Sequence, residues 1–354
     1  MAAFFRIGAL DGRGDPGHML IHQVIDAGGN ALSGSRLSGR GLEVHDDVAE
    51  RFARSRLPPV VRGILLRQYK DAMRRHADET GIVVDSQAPL CTDDRLAIDW
   101  AGFAMESTED GLRFRLPLAP GETLEAALRP AASWMRVDGS SLDRFYGGVF
   151  DYVSCPRMEA SGSGGRRVSG TLWFDHQWGR YEGWLLRRVA GWLPGLGSGR
   201  LEALRWNWFG ISLDDGRDFI FQRHWPERGD KLLASFVVLF EGDGARPLEG
   251  GFGAEALRRW YSERSGTEYP VDWRLTLPAM DLVLDVRALI DDQEIPVYGI
   301  GGVWEGEVVV SGRQGDRVVS GRGRLELMGY AMLAVARRQL LRRFRALLRG
   351  AADQ

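Results

Sequence analysis

The sequence is poor in cysteine, in net charge and in long apolar runs, and each shortage removes a class of protein. Only two cysteines occur, Cys91 and Cys155, and neither sits in a CxxC pair. No zinc site or disulfide framework is implied, which leaves a single Cys91–Cys155 bridge or, as the expectation, two buried reduced thiols. Acidic and basic residues nearly cancel, 48 against 46, for a formal net charge of -2. A chain without basic excess lacks the electrostatic footprint of nucleic-acid binding. No run approaches the roughly 20 apolar residues of a membrane-spanning helix. Residues 1–10 are apolar but lack the basic start, long apolar core and small-residue cleavage site of a secretory signal, so the expected location is cytoplasmic. The histidines His18, His22, His45, His76 and His224 show no metal-ligand spacing, which predicts surface or capping roles and no metal.

Glycine and tryptophan are plentiful, at 46 and 12 residues in a chain of 354. Glycine-rich turns and aromatics between short apolar runs favour β structure, and the length favours two domains. Residues 18–45 read as a hairpin or meander around Gly28-Gly29-Asn30 and Ser38-Gly39. Over 47–80, Val48, Phe52, Leu57, Val60, Ile64, Leu65 and Met73 lie at helical spacing, and Pro58-Pro59 interrupts them, predicting two short helices. Strands resume at 81–130, where Leu112–Leu118 alternates with period two, and continue over 144–180 with a hairpin tip at Gly162–Gly165. Residues 181–204 are apolar, arginine-bearing and glycine-rich, and serve as a connector or a lid. Beyond them Trp206–Leu213 turns at Asp214-Asp215-Gly216 into Asp218–Arg223, and Val303–Ser311 and Arg317–Leu327 form another pair.

The chain ends on a stripe of Leu333, Ala336, Leu340, Phe344, Leu347 and Leu348 set among arginines, a basic amphipathic helix over 331–354. It either docks its stripe on a barrel or makes peripheral membrane contact through 331–349. The expectation is thus a mainly β protein: antiparallel barrel or sandwich domains over 1–180 and 205–330, with short helices near 47–80 and a terminal helix. Small barrels of this kind commonly enclose one apolar ligand.

The most unusual stretch is Gly170-Thr171-Leu172-Trp173-Phe174-Asp175-His176-Gln177-Trp178-Gly179, with an acid, an imidazole, an amide and two indoles within six residues. On a strand, Asp175 and Gln177 face one way and His176 and Trp178 the other. The run resembles the Gly-x-x-Trp-x-Asp-His-x-Trp-Gly motif of the carotenoid 1,2-hydratase (hydroxyneurosporene synthase) family, which includes the AttH-like proteins. Further matches follow in order: Tyr152-Val153-Ser154-Cys155-Pro156-Arg157, with Cys155 in place of an arginine; Trp206 to Gly216; Trp260-Tyr261-Ser262; Tyr269-Pro270-Val271-Asp272-Trp273; Gln293-Glu294; Trp304-Glu305-Gly306; and Gly321 to Tyr330. They cover roughly 145–330, while 1–140 matches only in general β character.

The resemblance implies two lipocalin-like domains, an apolar pocket near their junction and cofactor-free chemistry on a lipophilic unsaturated substrate. Relatives include hydratases of carotenoid double bonds and decalin-forming pericyclases. One departure is Asn207, where the family commonly has an acid between the two tryptophans. Protonating an unactivated alkene needs a carboxylic acid of raised pKa, and Asn207 cannot supply it. Asp175 or Glu305 would have to, or the reaction needs no alkene protonation. That departure favours a cyclase or isomerase, such as a pericyclase, acting on a polyene polyketide or terpenoid. A hydratase and a non-catalytic carrier are the alternatives.

The catalytic candidates are Asp175, His176, Asn207 and Glu305, and the substrate-binding candidates Tyr152, Trp178, Trp206, Trp208, Trp304 and Tyr330. Against each stands a structural reading. Asp175 and His176 can pair to lock the interdomain strand, most of the tryptophans can be barrel core, and the two tyrosines can close barrel ends. Glu305 and Glu326 are expected to be buried pairs with Arg322 or Arg324.

Overall fold

The computed structural model describes residues 1–7, 16–26, 28–45, 59–92, 95–119, 121–131, 134–137, 150–163, 167–179, 204–226, 232, 234–242, 244–331, 334–335, 337–338 and 341–342. Three sheets follow one another along these residues. In the first, β1 (Ala2–Ile7), where no strand was expected, pairs with β2 (Gly17–Ile25), and β2 and β3 (Ala31–Ser38) form the hairpin expected within 18–45. Its turn is tied by the Asp26 carboxylate, which accepts the N–H groups of Gly28 and Asn30 at 2.8 and 2.9 Å. β4 (Val83–Asp85) then joins β3 in parallel, which requires a crossover.

The crossover differs from its expectation. Residues 39–45, read as the end of the meander, are helical. Of the two helices expected over 47–80, the one after the proline pair is α1 (Pro59–Thr80), a single run of 22 residues that begins at Pro59, while residues 46–58 lie outside the described residues. Proline suits that place because its missing N–H is one the first turn leaves unbonded anyway. α1 packs Ala72, Met73 and Ala77 against Ile295, Val297 and Val303 of the third sheet. His76, expected at the surface, is buried there with Nε2 at 2.6 Å from the Gly301 carbonyl.

The second sheet has eight strands, β5 (Leu90–Cys91), β6 (Ala97–Trp100), β7 (Phe103–Thr108), β8 (Gly111–Ala119), β9 (Glu122–Pro130), β10 (Met135–Val137), β11 (Phe150–Ser163) and β12 (Arg167–Gly179). β11 and β12 form a long hairpin whose register pairs Tyr152 with Gln177 and Ser154 with Asp175. A bulge between Cys155 and Met158 absorbs Pro156, which has no N–H for the ladder. Cys155 is buried as expected, but Cys91 is exposed, and no disulfide joins them.

The third sheet has ten strands, β13 (Leu204–Leu213), β14 (Asp218–Pro226), β15 (Ala234–Glu241), β16 (Gly244–Leu248), β17 (Gly253–Ser262), β18 (Thr267–Leu277), β19 (Leu282–Ala288), β20 (Glu294–Val297), β21 (Gly301–Gln314) and β22 (Arg317–Met328). Its order is β16-β15-β14-β13-β22-β21-β19-β18-β17, with β20 on β21. The sheet therefore curls until the first and last long strands of this half, β13 and β22, lie side by side. The expected mainly β, lipocalin-like architecture is the one adopted.

Odd-numbered residues of β13–β15 point into the curl, where Phe209, Ile211, Phe221, Leu239, Trp273 and Trp304 are buried together. Each such side chain contributes about 1.5–3 kcal/mol by leaving water. Even-numbered residues face outward and meet the second sheet. There Met135 and Tyr152 pack on Trp208, Ile220, Phe236, Val238 and Phe240, with Trp173 and Trp206 alongside. An ion pair holds the two sheets together: the Arg157 Nε is 2.8 Å from Oδ2 of Asp218, which is 1% exposed, and the Arg157 Nη2 donates to the Leu213 carbonyl at 2.6 Å.

The connector 181–204 lies outside the described residues except for Leu204, as does most of the terminal segment. The described part of that segment docks on the protein. Val335 is buried, Arg338 donates to the Arg264 carbonyl at 2.7 Å, and Arg342 pairs with Glu79 of α1 at 2.7 Å. Among the described residues no helix is long and apolar enough to cross a membrane.

Candidate functional site

Strand alternation decides which side chains meet between the second and third sheets. On β12, Trp173 and Asp175 face the junction, and on β11 so do Tyr152 and Ser154. Trp173 donates its indole N–H both to Ser154 Oγ and to Asp175 Oδ1, each at 3.0 Å. Asp175 also accepts hydrogen bonds from the Ser154 and Tyr152 hydroxyls. Asp175 itself keeps accessible surface, with protein groups crowded around its carboxylate. Loss of bulk water raises its pKa to about 6, against the three hydrogen bonds that favour its charge, and nearby Glu305 adds to the rise.

The facing wall comes from the outer side of β13, β14, β21 and β22. The register sets Trp208 opposite Glu326, and Glu326 opposite Glu305, so these three side chains share one face. The Trp208 ring stands edge-on to Trp173, with centroids 5.4 Å apart. The two glutamates differ in their partners. Glu305 takes the guanidinium of Arg324 at 3.0 Å, whereas Glu326 accepts the Trp206 indole N–H at 3.2 Å. Burial, followed by repulsion from Glu305, pushes the Glu326 pKa up to about 8. Beside it, His224 is the cross-strand partner of Trp206 and stacks on Phe236. Burial lowers the His224 pKa to about 4, so the ring is neutral at ordinary pH.

The junction thus joins a carboxylic acid, Glu326, and a carboxylate, Asp175, across a wall of Trp173, Trp206 and Trp208. At neutral pH the first holds a proton and the second does not. Two titrating groups with separated pKa values are the equipment of general acid and base catalysis.

Of the residues expected from sequence, Asp175, Glu305, Tyr152, Trp206 and Trp208 come together here. His176 lies on the opposite face of β12, where its ring neighbours Phe174 at 6.5 Å, so it does not join Asp175. The side chain of Trp178 falls outside the described residues. Asn207, Trp304 and Tyr330 lie on the barrel side of the third sheet. Trp304 is fully buried and donates to the Asp291 carbonyl at 2.8 Å, and Tyr330 donates to Asn207 Oδ1 at 2.8 Å.

The expected pairing of both glutamates with arginine holds for Glu305 alone. Sequence reasoning passed over Glu326 as a structural acid and His224 as a surface or capping residue. The available signal was parity: Trp206, Trp208, His224 and Glu326 all fall on the outward positions of their strands. Gln293 and Glu294, part of the motif run, serve the fold. Gln293 Nε2 donates to the carbonyls of Ile290 and Glu307 at 3.0 Å each, and buried Glu294 accepts the hydroxyls of Tyr269, at 2.7 Å, and Ser262.

Comparison with known proteins follows the same outline. The AttH-like family model matches residues 128–330, which take in both walls of the junction. Among solved structures the fold is similar to an AttH-type protein from Nitrosomonas europaea at 20% identity, over 93% of this chain and 86% of that one, with a TM-score of 0.60. It is also similar to kievitone hydratase from Nectria haematococca at 12% identity, over 94% and 88%, with a TM-score of 0.54. At these identities the likeness is one of fold. No curated protein matches the chain.

Proposed function

The chain belongs to the AttH-like family, and from that premise we propose that it is an enzyme adding water across a carbon–carbon double bond of a lipophilic substrate held at the junction. The observation that carries this reading is Glu326, an acid of raised pKa that accepts the Trp206 indole N–H and lies cross-strand from Trp208, with Asp175 near enough to interact with it electrostatically. Protonated Glu326 delivers its proton to the less substituted alkene carbon. The carbocation that forms on the neighbouring carbon lies against the π-faces of Trp173, Trp206 and Trp208, which attract positive charge. Water adds to that carbon and loses a proton to Asp175. The cycle closes when the proton on Asp175 returns to Glu326 through solvent, leaving alkene plus water converted to alcohol. Glu305, bonded to Arg324, acts by repulsion, which holds Glu326 in its acid form. The name of kievitone hydratase, a protein of similar fold, states a hydration and supports the same reading.

The preference for a cyclase or isomerase rested on Asn207. Because Asn207 points into the barrel, its inability to donate a proton has no bearing on the junction, where Glu326 fills that need.

The test is incubation with prenylated aromatic and acyclic polyene compounds in oxygen-18 water. The hydratase reading expects a product carrying one labelled oxygen, absent with Glu326→Gln. An isomeric product without label would replace it with a cyclase, and recovery of bound, unaltered compound with a carrier.

A further inference from the structure

We infer that the inner face of β13–β15 carries a second binding site, separate from the junction, that takes the carboxylate of a ligand. Asn207, Arg223 and Ser235 are direct cross-strand partners: Asn207 pairs with Arg223, and Arg223 with Ser235. All three occupy odd, inward positions, so they form one row across three adjacent strands, with Cβ atoms about 5 Å apart along it. Each has a buried polar atom without a partner: Asn207 Nδ2, Arg223 Nε and Ser235 Oγ. Asn207 is 0% exposed. A single unpartnered buried group is uncommon, and each costs about 1–3 kcal/mol. Three side by side on one face therefore call for a common partner.

The chemistry of that partner follows from the row. An amide N–H, a guanidinium N–H and a hydroxyl are all donors, and their complement is a group of acceptors. The charge agrees. Arg223 spends its other nitrogens on the carbonyls of Phe252, at 2.6 Å, and Ala254, at 3.2 Å. No carboxylate pairs with it among the described residues, and burial lowers its pKa. One guanidinium matches a monoanion, which selects a carboxylate over a phosphate dianion. Tyr330 donates to the Asn207 Oδ1, which holds the carboxamide and leaves its Nδ2 as the unused donor. The same level of the barrel continues through Leu327 to Trp304, so an apolar wall adjoins the donors. Such a site admits either a free small carboxylate or the acid end of a longer chain.

The experiment titrates the full chain with acetate and, separately, with dodecanoate below its micelle concentration, followed by calorimetry. The site predicts saturable binding of at least one, weakened about tenfold or more in Asn207→Leu and in Ser235→Ala. Equal affinity for both would identify a free small carboxylate as the ligand, and tighter dodecanoate the acid end of a chain. Arg223→Met is expected to abolish binding, and the other two variants carry the test should it fail to fold. No saturable binding of either probe would overturn the site, as water filling the row would produce. Dodecanoate binding that ignores all three substitutions but is lost in Trp208→Ala would overturn it too, by placing the ligand at the junction.

Discussion

Strand β13 belongs to two regions at once, and its two faces have different chemistry. Inward, Phe209 and Ile211 join a barrel core of fully buried aromatic and branched side chains. Outward, Trp206 and Trp208 share their face with Glu326, Glu305 and His224 and meet Trp173 of the second sheet, on the strand that carries Asp175. The inner face is built for cohesion, since its apolar groups gain from leaving water. The outer face carries titratable groups in surroundings that disfavour their charge, an arrangement that lowers stability and is kept where proton transfer is useful. Proton chemistry is accordingly expected around Glu326 on the outer face, and stability from the inner apolar core and from the Arg157–Asp218 pair that joins the sheets.

Substitutions that separate the faces test this division. Glu326→Gln removes the acid while preserving shape, and turnover should fall by about 10²–10⁴-fold with the fold intact by circular dichroism. Asp175→Asn should lower turnover less and remove the acid limb of the pH–rate profile, which for the native protein rises near 6 and falls near 8. On the inner face, Trp273→Ala should cost about 3–5 kcal/mol of stability in denaturant unfolding. Arg157→Ala leaves buried Asp218 without its cation and should cost a similar amount, about 3–5 kcal/mol. A loss below about 1 kcal/mol in either variant would break the assignment of cohesion to those contacts.

Stability should also depend on pH in a defined direction. Glu326 has an ordinary value of 4.5 and a folded value near 8, so between these the folded state binds more protons than the unfolded one. Its contribution is present in full below about 4.5, declines as pH rises through 8 and is absent above. Glu326→Gln should flatten that slope in unfolding experiments across the window. The smallest effect belongs to His176→Ala. That residue lies on the face of β12 turned from the junction, and turnover should change by less than about twofold.

Much of this was legible before the structure. The alternation in Gly170–Gly179 placed Asp175 and His176 on opposite sides of a strand, and it also placed Asp175 with Trp173. The motif order located both walls of the junction. What could not be read was register between distant strands. β13 and β22 lie more than a hundred residues apart in sequence, and no turn connects them, so nothing local set Glu326 beside Trp206 and Trp208. The same gap let Asn207 pass as a member of the site, although its neighbours at even positions face the other way. Pro58-Pro59 marked a boundary correctly at the start of α1, but the length of that helix, 22 residues where a short one was expected, was not legible locally.

The central claim is that Glu326 is a protonated acid at neutral pH in the folded protein. Its side-chain carboxyl carbon, labelled with carbon-13 and assigned by difference from Glu326→Gln, reports this directly in an NMR titration. The account predicts a midpoint near 8. A midpoint at the ordinary glutamate value of 4.5 would contradict it and remove the proton donor from the junction.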